Sequence, residues 1–260
     1  MNIVPIRDLE PRQSGIKIRV RVCRIWRPKI VKSDGKFDGL HCIVVDAMGD
    51  AIEASVQEVD YDLVAPKIEA GCLYDITRFN TGIGKSSYQI VPHCAQLKFN
   101  ARTIFSKLSN VHPVIQRHRF YLLDYNSLSS RIDDVSILTD VLGHICAIQP
   151  LQDKILNDSR IEKMCEIYIE NLRKKEIKVT LWGDTAASFN FKALEESTTA
   201  TFVVFTSLKV KDYNGDPVLN STLSTLTFIN PDILELQAYK SMFSDSTNIV
   251  RKLPFQQLSK

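Results

Sequence analysis

Trp182 and Tyr213 are the residues of this chain best placed to do chemistry. Trp182 closes the alternating run Val179-Thr180-Leu181-Trp182 ahead of Gly183, and Tyr213 lies in Lys209-Val210-Lys211-Asp212-Tyr213-Asn214-Gly215. Two π surfaces and two lysines then come from strands that can be neighbours. Flat rings stack on the exposed bases of a single-stranded nucleic acid, at roughly 1–3 kcal/mol per base, while ammonium groups track the phosphates. Packing at the core or rim of an all-β domain is the competing use of the same rings. Lys209 and Lys211 share one strand face, where they can reach a polyanion backbone or guard a hairpin edge. Arg173-Lys174-Lys175 adds cations in a turn between two strands.

No catalytic constellation accompanies them. Asp133-Asp134 and Glu195-Glu196 lack a matching carboxylate or histidine, and Gly82-Ile83-Gly84-Lys85 is too short for a phosphate-binding loop and lies in a hairpin. The six cysteines are scattered without a C-x-x-C pair, which predicts reduced thiols and no metal site. No cofactor is expected.

With 260 residues, 44% hydrophobic and 24% charged, the chain has the size and composition of one large or two ordinary soluble domains. No apolar run approaches the roughly 20 residues of a membrane span. Residues 1–8 lack the features of a secretory signal, so an intracellular protein without membrane partners is expected. Charge is uneven: 18 Lys and Arg face 13 Asp and Glu in residues 1–124, against 15 and 17 in 125–260. Residues 1–36 alone carry 10 basic and 3 acidic side chains, a footprint that suits a polyanion or a merely solvated face.

The elements that must hold these residues repeat. Lys17–Ile25 alternates with Lys17, Arg19 and Arg21 on one face; Leu40–Asp46 and Ala51–Val56 flank a tight turn at Asp46–Asp50. Lys32–Lys36 reads as a loop. Helical spacing over Val59–Ile68 places Val59, Leu63, Val64 and Ile68 together, and strands follow at Leu73–Phe79 and Ser87–Val91. The same order returns as strands at 138–145, 164–170 and 177–182, a short helix at 185–189, and strands at 201–211 and 219–226. Three strands, a helix and two strands, twice over, predict two tandem OB-fold five-stranded Greek-key barrels, all-β with short helices. The domains are expected at 1–105 and 125–240, with a linker at 106–124 and a C-terminal tail at 241–260 whose last residues, 251–260, read as loose.

Five stretches in register carry a family likeness: Val4-Pro5-Ile6-x-x-Leu9-x-Pro11-x-Gln13-Ser14, the Val44-Val45-Asp46-x-x-Gly49-x-x-Ile52-x-Ala54 hairpin, Thr180–Gly183, Val210-x-Asp212-Tyr213-x-Gly215, and Asn230-Pro231-Asp232-Ile233. Over residues 3–236 the chain resembles the two central DNA-binding OB domains of the replication protein A large subunit, and Arg131–Val141 resembles the domain opening of its plant branch. The resemblance implies sequence-tolerant binding of single-stranded DNA in replication, repair or recombination, a nuclear location, and other replication or recombination proteins as partners. Trp182 and Tyr213 match the stacking pair of the second domain, Tyr88 matches one stacking residue of the first, and Arg21 matches a phosphate-contacting arginine. The first domain's other stacking position falls on Leu40, which has no π face. His41, Trp26 and Phe79 are the candidate substitutes, and Trp26, flanked by Arg24, Arg27 and Lys29, is preferred to His41. The family's zinc-bearing third domain is missing, so assembly of the family's trimer is not expected. Stacking is equally available to RNA, and a protein-interaction or scaffold module with weak DNA affinity is the competing reading.

Overall fold

The computed structural model describes residues 2–30, 33, 35–109, 113–156, 159–196, 199–244 and 250–254. Lys32 and Asp34 of the expected loop, and most of the expected tail, lie outside them. The chain divides into two compact units, Met1–Phe120 and Tyr121–Lys260.

In the first unit the strands are β1 (Ile18–Trp26), β2 (Leu40–Val45), β3 (Ala51–Val56), β4 (Leu73–Thr77), β5 (Asn80–Ile83), β6 (Ala95–Phe99) and β7 (Ile104–Leu108), with helix α1 (Tyr61–Val64) between β3 and β4. Their order in the sheet is β5-β6-β3-β2-β1-β4-β7. β4 and β5 are halves of one run broken at Arg78, whose φ is 56°, so the sheet bends there and β1 pairs with β4 while β5 pairs with β6. That closes a five-stranded barrel. Ile18, Val20, Cys42, Val44, Ile52, Ala54, Ile76 and Leu97 alternate inward to fill it. Buried Asp46 ties the opening segment to the β2–β3 turn by accepting from the backbone N–H groups of Ile6 (2.8 Å), Met48 (2.9 Å) and Asp50 (3.1 Å).

Three expectations for this unit are corrected. Ser87–Val91 is loop, because Tyr88 holds φ 52°, outside the extended region; the fifth barrel strand is β6, whose Ala95, Leu97 and Phe99 face the core. The stretch 59–68 forms short separate turns rather than one helix, with Pro66 interrupting it. Val64 and Ile68 are buried there while Val59 and Leu63 are exposed. β7 runs across the expected boundary at 105 into the stretch read as linker, pairing with β4 from Leu108 opposite Leu73 to Ile104 opposite Thr77.

The second unit contains β8 (Thr139–Ile155), β9 (Ile161–Glu170), β10 (Glu176–Trp182), α2 (Gly183–Ala187), α3 (Phe191–Glu196), β11 (Phe202–Tyr213), β12 (Asp216–Asn220), β13 (Thr227–Ile229), α4 (Glu235–Met242) and β14 (Arg251–Lys252). The sheet order is β13-β11-β12-β10-β9-β8-β14, and β11 also pairs with β8, closing a second five-stranded barrel. Val141, Ile145, Ile167, Val179, Leu181, Phe205, Val210 and Leu219 form its core. The expected strand 219–226 is instead β12 and β13, separated by a turn in which Thr222 and Thr225 bond to each other and to the Ser207 carbonyl. The tail is not wholly loose, since Arg251 and Lys252 pair in parallel with Ala147 and Ile148. Two tandem OB folds of five barrel strands each are therefore the architecture.

Candidate nucleic-acid interface

On the second barrel, Ile177, Val179 and Leu181 point into the core, so Lys178, Thr180 and Trp182 share the outer face of β10. Register carries that face across the sheet. Glu166 lies opposite Thr180, Thr180 beside Asn220, and Asn220 opposite Lys209. Tyr168 lies opposite Lys178 on the same face. Trp182 is half-buried and fixed at its edge: the indole N–H donates to Asn220 Oδ1 at 3.0 Å, and the backbone N–H to Ser221 Oγ at 2.9 Å. The ring is oriented before any ligand arrives.

Tyr213 ends β11 at a two-residue turn, Asn214-Gly215, with φ values of 56° and 91°. Both angles are positive, which suits a tight hairpin matching the twist of its strands. The Tyr213 ring is 58% exposed, and the Lys178 ammonium sits 4.8 Å from its centroid. Lys178 also donates to Glu166 Oε1 at 3.1 Å, and the Tyr168 hydroxyl donates to Glu166 Oε2 at 3.3 Å. Burial, then the Glu166 carboxylate, push the Tyr168 hydroxyl up to about 12, so it stays a protonated donor. Lys211 pairs with Asp133 at 2.6 Å at the exposed edge.

Arg173 and Lys174 lie in the β9–β10 turn, at the end of β10 opposite Trp182. The strand from Glu176 to Trp182 spans roughly 20 Å. The Lys174 ammonium packs 3.6 Å from the Phe243 ring centroid and 3.4 Å from Glu170 Oε1. Lys178, Tyr168 and Glu166 were not among the expected site residues. Alternation from Trp182 back to Lys178 was the available signal.

The first barrel presents a different face. A β-bulge between Val22 and Arg24 shifts the alternation of β1, bringing Trp26 opposite His41, His41 opposite Ser55, and Ser55 beside Lys98. Trp26 is only 6% exposed and stacks on His41, with centroids 5.6 Å apart and planes 28° apart. It offers no open ring to a base, which corrects its expected stacking role. His41 is buried as well, its Nδ1–H donating to Glu53 Oε1 at 3.0 Å, and Phe79 is a core residue. Glu53 also receives Lys85 at 2.6 Å; burial pushes its carboxyl up, but His41 and Lys85 outweigh that and hold it below its ordinary range.

The basic amino-terminal stretch is largely spent internally. Lys17 and Arg19 both pair with Asp75 at 2.7 Å. Arg21 donates to the carbonyls of Ile115 (2.8 Å) and Gly71 (2.6 Å), so its guanidinium fork is engaged with the chain itself. Arg27 ion-pairs with Glu58 and lies between the Phe37 and Tyr61 rings, 4.0 and 3.7 Å from their centroids. That packing gives it a structural use. Tyr88 stands 41% exposed on the loop joining β5 to β6, and Leu40 is buried in the core.

Two closed barrels, one displaying an aromatic-and-lysine face across β9, β10, β12 and β11, define a tandem OB-fold protein. Residues 7–125 match a domain of unknown function, DUF223, and residues 129–230 match the replication protein A OB domain. The chain is 28% identical over 247 residues to replication factor A protein 1 of Schizosaccharomyces pombe, covering 93% of this chain and 38% of that protein. It is 22% identical over 245 residues to one of the replication protein A 70 kDa DNA-binding subunits of Arabidopsis thaliana, covering 92% of this chain and 40% of that one. The solved structure of a replication protein A heterotrimer bound to single-stranded DNA contains a chain that superposes with a TM-score of 0.69 at 21% identity, covering 98% of this chain and 57% of that one. The chain thus spans about two fifths of the length of these two relatives. Its second unit is similar to the replication protein A OB domain, and most of the chain is similar to part of the replication protein A large subunit.

Proposed function

We propose that this protein binds single-stranded DNA in the nucleus, in replication and the repair or recombination that share its intermediates, with the second barrel supplying most of the stacking. The observation that carries this reading is the single outer face holding Trp182, Lys178, Lys209 and Tyr213, with Trp182 pinned by Asn220 and Tyr213 largely exposed. Trp182 and Tyr213 stack bases, the lysines neutralise phosphates, and Tyr88 adds a ring from the first barrel. Tandem attachment raises the effective concentration of the weaker unit for the same strand.

Fluorescence anisotropy with a labelled oligonucleotide at low salt tests it. The double substitution Trp182→Ala, Tyr213→Ala is expected to weaken binding by on the order of 2–6 kcal/mol. Unchanged affinity overturns the proposal. Competition with the matched RNA separates DNA preference from general single-strand binding, since stacking does not read the 2′-hydroxyl.

A protein-interaction role for the first unit is favoured by one observation: its Trp26–His41 stack closes the position where an open ring would sit. Under that reading, Tyr88→Ala leaves DNA affinity unchanged.

A further inference from the structure

On the binding face of the second barrel, one carboxylate sits where a polyanion would have to lie. Glu166 is buried, its side chain 8% exposed, yet it faces outward on β9 opposite Thr180, and the Lys178 ammonium bridges from it toward the Tyr213 ring. Its charge is held by two donors, Lys178 on Oε1 and the Tyr168 hydroxyl on Oε2. Lys178 serves two partners at once, the carboxylate and the face of the Tyr213 ring.

A base stacking on Tyr213 competes with the ammonium for that ring, and the phosphates beside the base attract it. Either event draws Lys178 off Glu166. A buried carboxylate that loses a charged donor is costly unless another donor replaces it. Its two oxygens have about four acceptor positions, so a hydrogen-bond donor on the incoming base can take the vacated place. Cytosine presents an exocyclic amino group at position 4, whereas thymine and uracil present a carbonyl oxygen there, which repels a carboxylate. Glutamate accepting from the cytosine amino group is a known pairing geometry.

We propose that Glu166 is a specificity-determining residue which makes this site prefer amino-bearing bases, cytosine above all, over thymine and uracil, with Lys178 as the group that yields its place. The inference rests on the single-strand reading above and sharpens it from sequence-tolerant to base-selective binding at the Tyr213 position. Glu166 touches the base edge, Tyr168 keeps the carboxylate aimed, and Lys178 passes to a phosphate.

The test compares oligo-dC with oligo-dU of equal length on the full chain near pH 8, where cytosine is unprotonated. The two probes differ only along the base edge that Glu166 would meet. Wild-type protein is expected to bind oligo-dC roughly tenfold more tightly. Glu166→Gln, whose amide can both donate and accept, is expected to bring the two affinities together. An oligo-dC made with N4,N4-dimethylcytosine removes the donors without altering the protein, and is expected to bind no better than oligo-dU. Equal wild-type affinities for dC and dU, or a dC preference that survives both changes, overturn the inference while leaving single-strand binding intact. Failure to bind any of the oligonucleotides overturns the single-strand reading and the inference with it.

Discussion

Rings of the same chemical type have opposite jobs in the two barrels, and the difference is burial. Tyr213 is 58% and Tyr88 41% exposed, whereas Trp26 is 6% exposed against His41. Tyr213→Ala is expected to cost about 1–3 kcal/mol of oligonucleotide affinity and little stability, as an anisotropy titration beside a urea unfolding curve would show. Trp26→Ala reverses the pattern, costing about 3–5 kcal/mol of stability and little affinity. Asp75 supplies a pH effect of definite sign. The hydrogen bond from Arg19, aided by Lys17 against opposing burial, holds its carboxyl below the ordinary range. A carboxylate depressed in the folded state adds stability that is present above its unfolded value, about 3.9, and lost as pH falls through its folded value. Asp75→Asn is therefore expected to lower stability by about 1–3 kcal/mol at neutral pH and to flatten the acid limb of the unfolding profile below pH 4. An acid limb identical to wild type would rule this out.

Loop anchoring decides where the exposed rings stand. Gly84 opens the loop that carries Tyr88, and its N–H bonds the Cys94 carbonyl at 2.7 Å. A Cβ there would meet the His93 carbonyl oxygen at 2.5 Å and that of Cys94 at 2.9 Å, both backbone atoms. Gly84→Ala should cost about 1–3 kcal/mol in unfolding and displace the Tyr88 loop; a melt superimposable on wild type would disprove it. The elements themselves differ in how openly they were written. Alternation in β1 ahead of its bulge and in β10, with turn signals between strands, let the two barrels be read from sequence, although β2 is buried along its whole length and β8 carries two register shifts. Ser87–Val91 alternates too, yet only the positive φ of Tyr88 removes it from the sheet, and no residue type announces that angle. The outward turn of Trp26 depends on the bulge between Val22 and Arg24, a register slip that leaves no mark in the hydrophobic pattern. Trp182 and Tyr213 could be named because they end strands beside turns. Glu166 escaped because a carboxylate on a proposed anion-binding face runs against the simple charge argument.

For the chain as a whole, formal charge and available charge are different quantities. The first 36 residues hold most of the positive excess, but Arg7, Lys17, Arg19 and Arg27 pair with Asp50, Asp75 and Glu58, and Arg21 with backbone carbonyls. On the second barrel Lys178 and Lys211 are paired as well, with Glu166 and Asp133, so a strand has to draw them off those carboxylates before they neutralise phosphate, despite a net charge of +3. For single strands each phosphate contact contributes about 0.7 to the slope of log affinity against log salt. Replacing Lys178, Lys209 and Lys211 together with glutamine is expected to reduce that slope by roughly 2 in a sodium chloride titration; an unaltered slope would place the contacts elsewhere.

The chain contains two tryptophans, and their surroundings make them unequal optical probes. Trp26 is sealed against His41, while Trp182 is half-buried at the end of a strand. Intrinsic emission therefore comes from one indole shielded from dissolved quenchers and one within their reach. Acrylamide should extinguish the second component first, and a bound strand should shield or dim that component alone. The protein carries its own unlabelled gauge of occupancy at the second barrel, with the first barrel's indole as an internal reference.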